Sequence, residues 1–260
     1  MKTAGSAAMP RTDASRSPQA RHAVRRQIYL FRGGGRKTQA DAAGKGKPMP
    51  ENYRIQMERV LEENGARRPG LLLHSCCGPC SSAVLEALCP HFEVTVDYYN
   101  PNIDTAEEYA RRAAEQARFA AAAPFAAGTQ VLVAPYEPQA FYAAVKGLEH
   151  IPEGGARCFA CYALRLRHAA ALAKQLSCEY FCTTLSVSPH KNAAKLNELG
   201  CAIAEEYGVK WLPSDFKKAD GFRRSTALSA EYGMYRQDYC GCVFSKHEAE
   251  ARRAARAPAL

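Results

Sequence analysis

No run in this 260-residue chain approaches the roughly 18 consecutive apolar residues of a membrane span, which predicts a soluble protein. A charged-then-apolar secretory leader is missing too. No unit of about 20–50 residues repeats, so solenoids and propellers are out. The glycine- and serine-rich turn with which a nucleotide-binding domain cradles phosphates is also absent. Net charge is missing from most of the chain. Residues 1–50 hold eleven Lys/Arg against Asp13 and Asp41, and this stretch accounts for the whole formal net charge of +9. The rest is formally neutral, so any affinity of the body for nucleic acid must come from local patches.

Residues 1–48 lack apolar periodicity as well, being rich in Ala, Arg, Ser and Gly with a Gly33-Gly34-Gly35 run. Such a composition cannot bury enough surface to offset chain entropy. The expectation is a disordered basic leader, or a stretch that is not translated because Met49 is the true start. A transit peptide and a tRNA-grasping arm stand beside it as alternatives. Apolar content of 47% and charged content of 23% are ordinary globular values. Residues 49–260 are expected to form a single α/β domain.

What the chain has in excess is cysteine. Eleven thiols is a high and odd count, whereas a disulfide framework belongs to short secreted chains with an even one. Seven of them fall into three groups: Cys76-Cys77-Gly78-Pro79-Cys80, a C-x-x-C at Cys158/Cys161, and a C-x-C at Cys240/Cys242. This is metal-ligand spacing, and a reducing cytoplasm is the expected location.

Tyr53, Met57, Val60 and Leu61 have helical spacing up to Gly65; Leu71–Ser75 reads as a buried strand and Ser81–Leu88 as the helix after it. Phe92–Tyr99 reads as a strand stopped by Asn100-Pro101-Asn102. Thr105 caps a helix reaching Pro124, with Glu107 and Glu108 in its first turn. Gln130–Pro135 is the next strand, Pro138–Lys146 a short helix, and Gly147–Gly155 a loop. A helix follows the C-x-x-C to about Leu176. Tyr180–Thr184 is a strand, Ala193–Tyr207 a helix and Val209–Leu212 a short extended segment. A last helix pair brackets Tyr235–Cys242. Strands alternating with helices predict a Rossmann-like, doubly wound, mostly parallel sheet, with a helical C-terminal part carrying the last cysteine pair.

In such sheets the site lies outside the carboxyl ends of the strands. The first cysteine group stands there, where a nucleotide-binding domain would put its phosphate turn. The amino end of the following helix favours thiolates and an anionic cluster. Soft thiolates suit iron clusters and zinc alike. A structural zinc closes with about four ligands, so seven cysteines leave roughly three for a second metal or an active thiol. Neighbouring side chains such as Cys76 and Cys77 rarely serve one tetrahedral zinc. Of the other thiols, Cys182 and Cys201 are expected to be buried small apolar groups, and Cys89 and Cys178 receive no role. His74 is expected to be packed and hydrogen-bonded, and Trp211 to be core.

The segments Leu72-Leu73-His74-Ser75-Cys76-Cys77-Gly78-Pro79-Cys80-Ser81-Ser82, Tyr99–Ile103, Arg157–Arg165, Thr184–Lys191 and Tyr235–Ser245 resemble, in order across residues 51–250, the QueH-type epoxyqueuosine reductases. The basic leader alone departs from the pattern. The resemblance implies a HUP-type fold and an oxidoreductase of tRNA queuosine biosynthesis. Its reaction would convert epoxyqueuosine at the tRNA wobble position to queuosine. It also implies a 4Fe-4S cluster with an adjacent mononuclear iron, no cobalamin, and an external electron donor. The ligand set implied is Cys76, Cys77, Cys80, Cys158, Cys161, Cys240 and Cys242, with Cys76, Cys80 and Cys242 assigned to the lone iron. Tyr162, Tyr239, Ser188 and His190 are the candidate proton donors.

For the substrate, Tyr98, Tyr99, Tyr162, Tyr235 and Tyr239 are candidates to stack a splayed base. Lys191, Arg165, Arg223 and Arg236 are candidates to hold phosphates, and Asn100 and Ser188 complete the expected contacts. Arg165, one turn past Cys161, is alternatively a counter-charge for the cluster. Two other functions compete: an ATP-dependent tRNA thiolase carrying a cluster, weakened by the missing phosphate turn, and a non-catalytic zinc-stabilised RNA-binding module, weakened by the surplus thiols.

Overall fold

A computed structural model describes residues 52–218 and 220–256, so the expectation for residues 1–48 lies outside the described residues. The elements in order are helix α1 (Tyr53–Asn64), strand β1 (Gly70–His74), α2 (Gly78–Leu88), β2 (Glu93–Tyr98), α3 (Ala106–Ala122), β3 (Gln130–Val133) and α4 (Pro138–Val145). There follow α5 (Ala156–Gln175), β4 (Tyr180–Thr183), α6 (Ala193–Tyr207), β5 (Lys210–Trp211), α7 (Gly221–Glu231) and α8 (Val243–Arg256).

All strand pairs are parallel and the order is β3-β2-β1-β4-β5, the doubly wound arrangement the alternating pattern predicts. β1 is central, with Leu71, Leu72 and Leu73 fully buried, which is why its sequence is a continuous apolar run rather than an alternating one. The chain winds outward through β2 and β3, then returns past β1 to β4 by way of α4 and α5. Right-handed crossovers therefore place α2 and α3 on one face and α5 and α6 on the other. α2 packs on α3 and α7, and α5 on α4 and α6. Among the described residues no helix is long and apolar enough to cross a membrane.

Two helix starts differ from expectation. α2 begins at Gly78, not Ser81, so Gly78-Pro79 is the first helical turn instead of a separate one. Proline suits that position because its missing N–H would have had no intrahelical partner. α5 likewise begins at Ala156, so Cys158 and Cys161 lie inside its first turns. Thr105 does cap α3, its hydroxyl accepting from the Glu108 amide at 3.1 Å. Cys182 and Trp211 are buried as expected. Cys201 is not: it is exposed on α6. The buried positions of that helix are Ala193, Leu196, Asn197, Gly200 and Ile203, a stripe that leaves position 201 outside.

Candidate metal centre and active site

β1 and β4 are neighbours whose chains leave in opposite directions, and the crevice beyond their carboxyl ends is where ligands collect in such sheets. The turn from β1 into α2 fills it with sulfur. The Sγ atoms of Cys76, Cys77 and Cys80 all lie within 4.8 Å of one another, with Cys76 and Cys77 3.9 Å apart. Adjacent residues can do this because Cys77 is fully extended at the N-cap of α2 (φ −172°, ψ 159°). Buried polar groups fix the turn. Gln116 on α3 accepts from Ser75 at 2.6 Å and from Ser81 at 2.7 Å. Asn100 donates to the Ser75 carbonyl at 2.8 Å. Just after β4, the Thr184 hydroxyl accepts from the Cys76 amide and donates to its sulfur at 3.4 Å.

The other four thiols come from two more elements. Cys158 accepts from the Gly154 amide at 3.3 Å, and Cys242 from the Ser245 amide at 3.4 Å. Cys161 and Cys242 share an apolar pocket with Phe141 and Val145. Cys240 accepts from Lys191 Nζ at 3.1 Å, and the same ammonium pairs with Glu153 at 2.9 Å. The Cys240–Cys242 loop is held from outside. Arg112 reaches the Cys240 carbonyl at 3.4 Å, and the Asp104 amide donates to the Gly241 carbonyl at 2.9 Å. None of the eleven cysteines is joined in a disulfide.

Hydrogen bonds from Cys77 and then Cys80, with Thr184 and Arg165 behind them, hold the Cys76 thiol well below its ordinary value. The same contacts push Cys77 up to about 12, and Cys80 well above its ordinary value. Within this trio Cys76 is therefore the thiol that gives up its proton most readily. Burial pushes Cys161 to about 12.

Two buried cations face the sulfurs. For Lys191, burial pulls downward but is outweighed by Cys240, Tyr162 and Glu153, which hold the ammonium well above its ordinary range. Arg165 is 1% exposed, and its pKa is raised because the negative charge that Cys161, Cys240 and Cys76 carry as thiolates outweighs burial. Its Nη1 donates to Asn100 Oδ1 at 3.1 Å, while its Nε and Nη2, like the Tyr162 hydroxyl, are buried without a partner among the described residues. Unsatisfied buried cationic N–H groups beside seven free thiols are what an anionic, thiolate-ligated metal site would compensate. The residues present therefore fit an iron–sulfur group.

A cavity of about 290 Å³ opens onto this place, lined by Cys76, Cys77, Cys80 and Cys240 from the thiol groups and by Ser188, His190, Lys191, Arg236 and Tyr239 among the expected site residues. Several expected substrate contacts are not on its wall. Tyr99 is buried and stacked on His168 at 3.9 Å, while Asn100 and Arg165 are buried behind the thiols. Tyr162 is buried as well. Arg223 is exposed and pairs with Asp220 at 2.8 Å. His74 is packed as expected, bonded to Thr183 Oγ1 at 2.8 Å and the Tyr99 carbonyl at 3.2 Å.

Outside the motifs the sequence carried one further signal: Arg112 and Gln116 fall on the same stripe of α3 as Tyr109, Ala113, Phe119 and Ala120, all buried. Large polar residues on an apolar stripe mark a buried network. Glu153 and Phe222 had no such signal.

The family model for epoxyqueuosine reductase QueH matches residues 71–248, a span that contains all seven clustered cysteines. The chain belongs to the QueH family. The epoxyqueuosine reductase QueH of Streptococcus pyogenes is 41% identical over 205 residues, covering 76% of this chain and 80% of that one. Its namesake in Staphylococcus epidermidis is 42% identical over 205 residues, covering 75% and 86%. Among solved structures, the U34-tRNA thiolase NcsA from Methanococcus maripaludis with its 4Fe-4S cluster is similar at a TM-score of 0.44 and 12% identity, over 78% of this chain and 71% of that one. In this QueH member, then, the three cysteine groups named from the sequence occupy one end of the sheet.

Proposed function

We propose that this oxidoreductase reduces epoxyqueuosine at the wobble position of tRNA to queuosine, on iron held by Cys76, Cys77, Cys80, Cys158, Cys161, Cys240 and Cys242. The observation that carries the reading is the gathering of thiols from two distant segments, Cys76–Cys80 and Cys240, on one cavity, with Cys242 packed against Cys161 behind it and two buried cations facing the sulfurs. Loss of the epoxide oxygen to leave an alkene takes up two electrons and two protons and releases water. Iron supplies the electron path and a Lewis-acid position, electrons arriving from an external donor without cobalamin.

The protein's own groups do the rest. The phenol of Tyr239 donates to Asp104 at 3.0 Å, and burial followed by that carboxylate raises its pKa, so it stays protonated on the cavity wall. Ser188 and His190 on the same wall are the other proton carriers, and Lys191 keeps a fixed positive charge beside Cys240. Arg236 holds the RNA backbone at the mouth. Tyr99, Asn100 and Arg165 act on the substrate through the thiol turn they support, and Tyr162 serves from behind the wall. Sulfurs that share one tetrahedral metal through bonds of about 2.3 Å sit about 3.8 Å apart. The spacing of Cys76, Cys77 and Cys80 supports these three as ligands of a mononuclear iron, with Cys158, Cys161, Cys240 and Cys242 on a 4Fe-4S cluster. Cys77 replaces Cys242 in the earlier grouping because Cys242 packs with Cys161. Residues 49–260 act as one reductase domain in a reducing cytoplasm.

The test is anaerobic incubation of the iron-loaded protein with epoxyqueuosine-containing tRNA and a strong reductant, reading the nucleoside by mass. Queuosine should form without ATP or cobalamin. A colourless protein carrying zinc alone, or turnover that needs ATP, would refute the reading. Full turnover by Cys76→Ala with its cluster intact would remove the lone iron from it.

A further inference from the structure

Most aromatic rings that the motifs offer for stacking a base are already engaged. Tyr98 and Tyr162 are buried, and Tyr99 lies on His168. The Tyr235 ring is covered by Arg111 at 3.5 Å while its hydroxyl bonds Glu108. Tyr239 holds Asp104 and lies 5.0 Å from the Arg112 guanidinium.

Phe222 is different. It stands in the first turn of α7, 44% exposed, and it lines the same cavity as Cys76, Cys77, Cys80 and Cys240. Its neighbour Arg236 is anchored to α7 through the Ser225 carbonyl at 3.3 Å and Ser229 Oγ at 2.8 Å, with its guanidinium 5.8 Å from the Phe222 ring centre. A phenylalanine has no polar tip, so an exposed one binds only by covering its ring. The acids on the cavity lining are matched: Glu153 by Lys191, and Asp238 by Arg253. That leaves Arg236 and Arg252 as surplus positive charge at the mouth. The cavity is about 290 Å³, the small end of ligand sites, which suits one nucleoside and not a duplex.

We propose that Phe222 is the stacking wall for the nucleobase splayed out of the anticodon, with Arg236 and Arg252 taking the flanking phosphates. The inference rests on the epoxyqueuosine reductase reading above. A base drawn out of its stack recovers the lost contact on an aromatic face. Here that face holds the base in the chamber whose lining carries the thiols.

The experiment measures anisotropy of a fluorescently labelled anticodon stem-loop carrying epoxyqueuosine, titrated with the full chain loaded with iron and sulfide under anaerobic conditions. Phe222→Ala should raise Kd roughly 5- to 100-fold. Phe222→Leu, which keeps apolar bulk but not the ring, should recover little. Phe222→Trp should bind as tightly as the wild type, with iron content the same in all three. A Kd for Phe222→Ala within twofold of wild type, or full recovery by leucine, overturns the stacking role while wild-type conversion to queuosine leaves the reaction standing. A wild type that neither binds nor converts this RNA overturns both.

Discussion

Arg165→Met tests whether the sulfurs around this side chain carry negative charge in the working protein. In the iron-free state, with most thiols protonated, wild-type Arg165 is a buried guanidinium that donates to Asn100 at 3.1 Å while its Nε and Nη2 have no partner among the described residues. An uncompensated buried charge of this kind costs on the order of 3–5 kcal/mol. Methionine fills the volume of the stem without that cost, but it leaves the Asn100 oxygen unpaired, for about 1–3 kcal/mol. The two effects partly offset, so iron-free Arg165→Met should be as stable as wild type or up to about 4 kcal/mol more stable. With thiolate-bound iron in place the substitution removes a counter-charge and should cost about 3–5 kcal/mol. The quantity predicted is the difference between the two states, roughly 100-fold or more in iron retention. Anaerobic urea unfolding of both forms, paired with competition against a chelator, measures it. An equal cost in the two states would refute the reasoning, because Arg165 would then be satisfied by protein groups alone.

Gly241 has φ +120°, and a Cβ there would sit 3.1 Å from both Arg112 Nη1 and Ile103 Cγ1. Gly241→Ala should cost about 1–3 kcal/mol and lower the iron-to-protein ratio, since the residue lies between two proposed ligands; a wild-type melting temperature and iron content would count against this. Gly200→Ala is the distant control: its Cβ would fall 2.3 Å from the Trp211 indole, lowering stability by about 1–3 kcal/mol with iron content unchanged. Asp104→Asn probes pH dependence. Burial opposes ionisation of Asp104, but bonds from Lys246 and Tyr239 outweigh it and depress its pKa. A carboxylate depressed in the folded state stabilises fully above its unfolded value, near 4, and loses that contribution as pH falls through the folded one. The variant should therefore be less stable by about 1 kcal/mol at neutral pH and converge with wild type in acid, a trend that urea midpoints across pH would reveal.

The sheet was legible because its signals are local. Leu71-Leu72-Leu73 is a short apolar run of the kind that a strand buried on both faces requires, and the strand-helix alternation then leaves few topologies. The helix starts at Gly78 and Ala156 were misplaced because glycine and proline signal a turn and a first helical turn equally well. Cys201 was misjudged for a different reason. The general tendency of free cysteine toward burial was applied, although the stripe from Ala193 to Ile203 was there to be read. The tyrosines could not be sorted at all. Whether Tyr99 is a platform or a packed ring depends on His168, 69 positions away in sequence and on the far side of a crossover. The grouping of Cys76 with Cys77 follows from one extended backbone pair, which no spacing rule contains.

The cations explain why the thiols gather at this end of the sheet. Thiolates brought together repel one another, and burial raises the cost further. Arg165 comes from α5, Lys191 from the segment before α6, and Arg112 from α3, so each cysteine group is approached by positive charge borne on another element. The fold thus commits buried cations before any metal arrives. That arrangement is unfavourable to the empty protein and favourable to the loaded one, which couples folding stability to metal binding. A chelator should consequently lower the stability of the wild type more than that of Arg165→Met, since only the wild type retains the stranded charge.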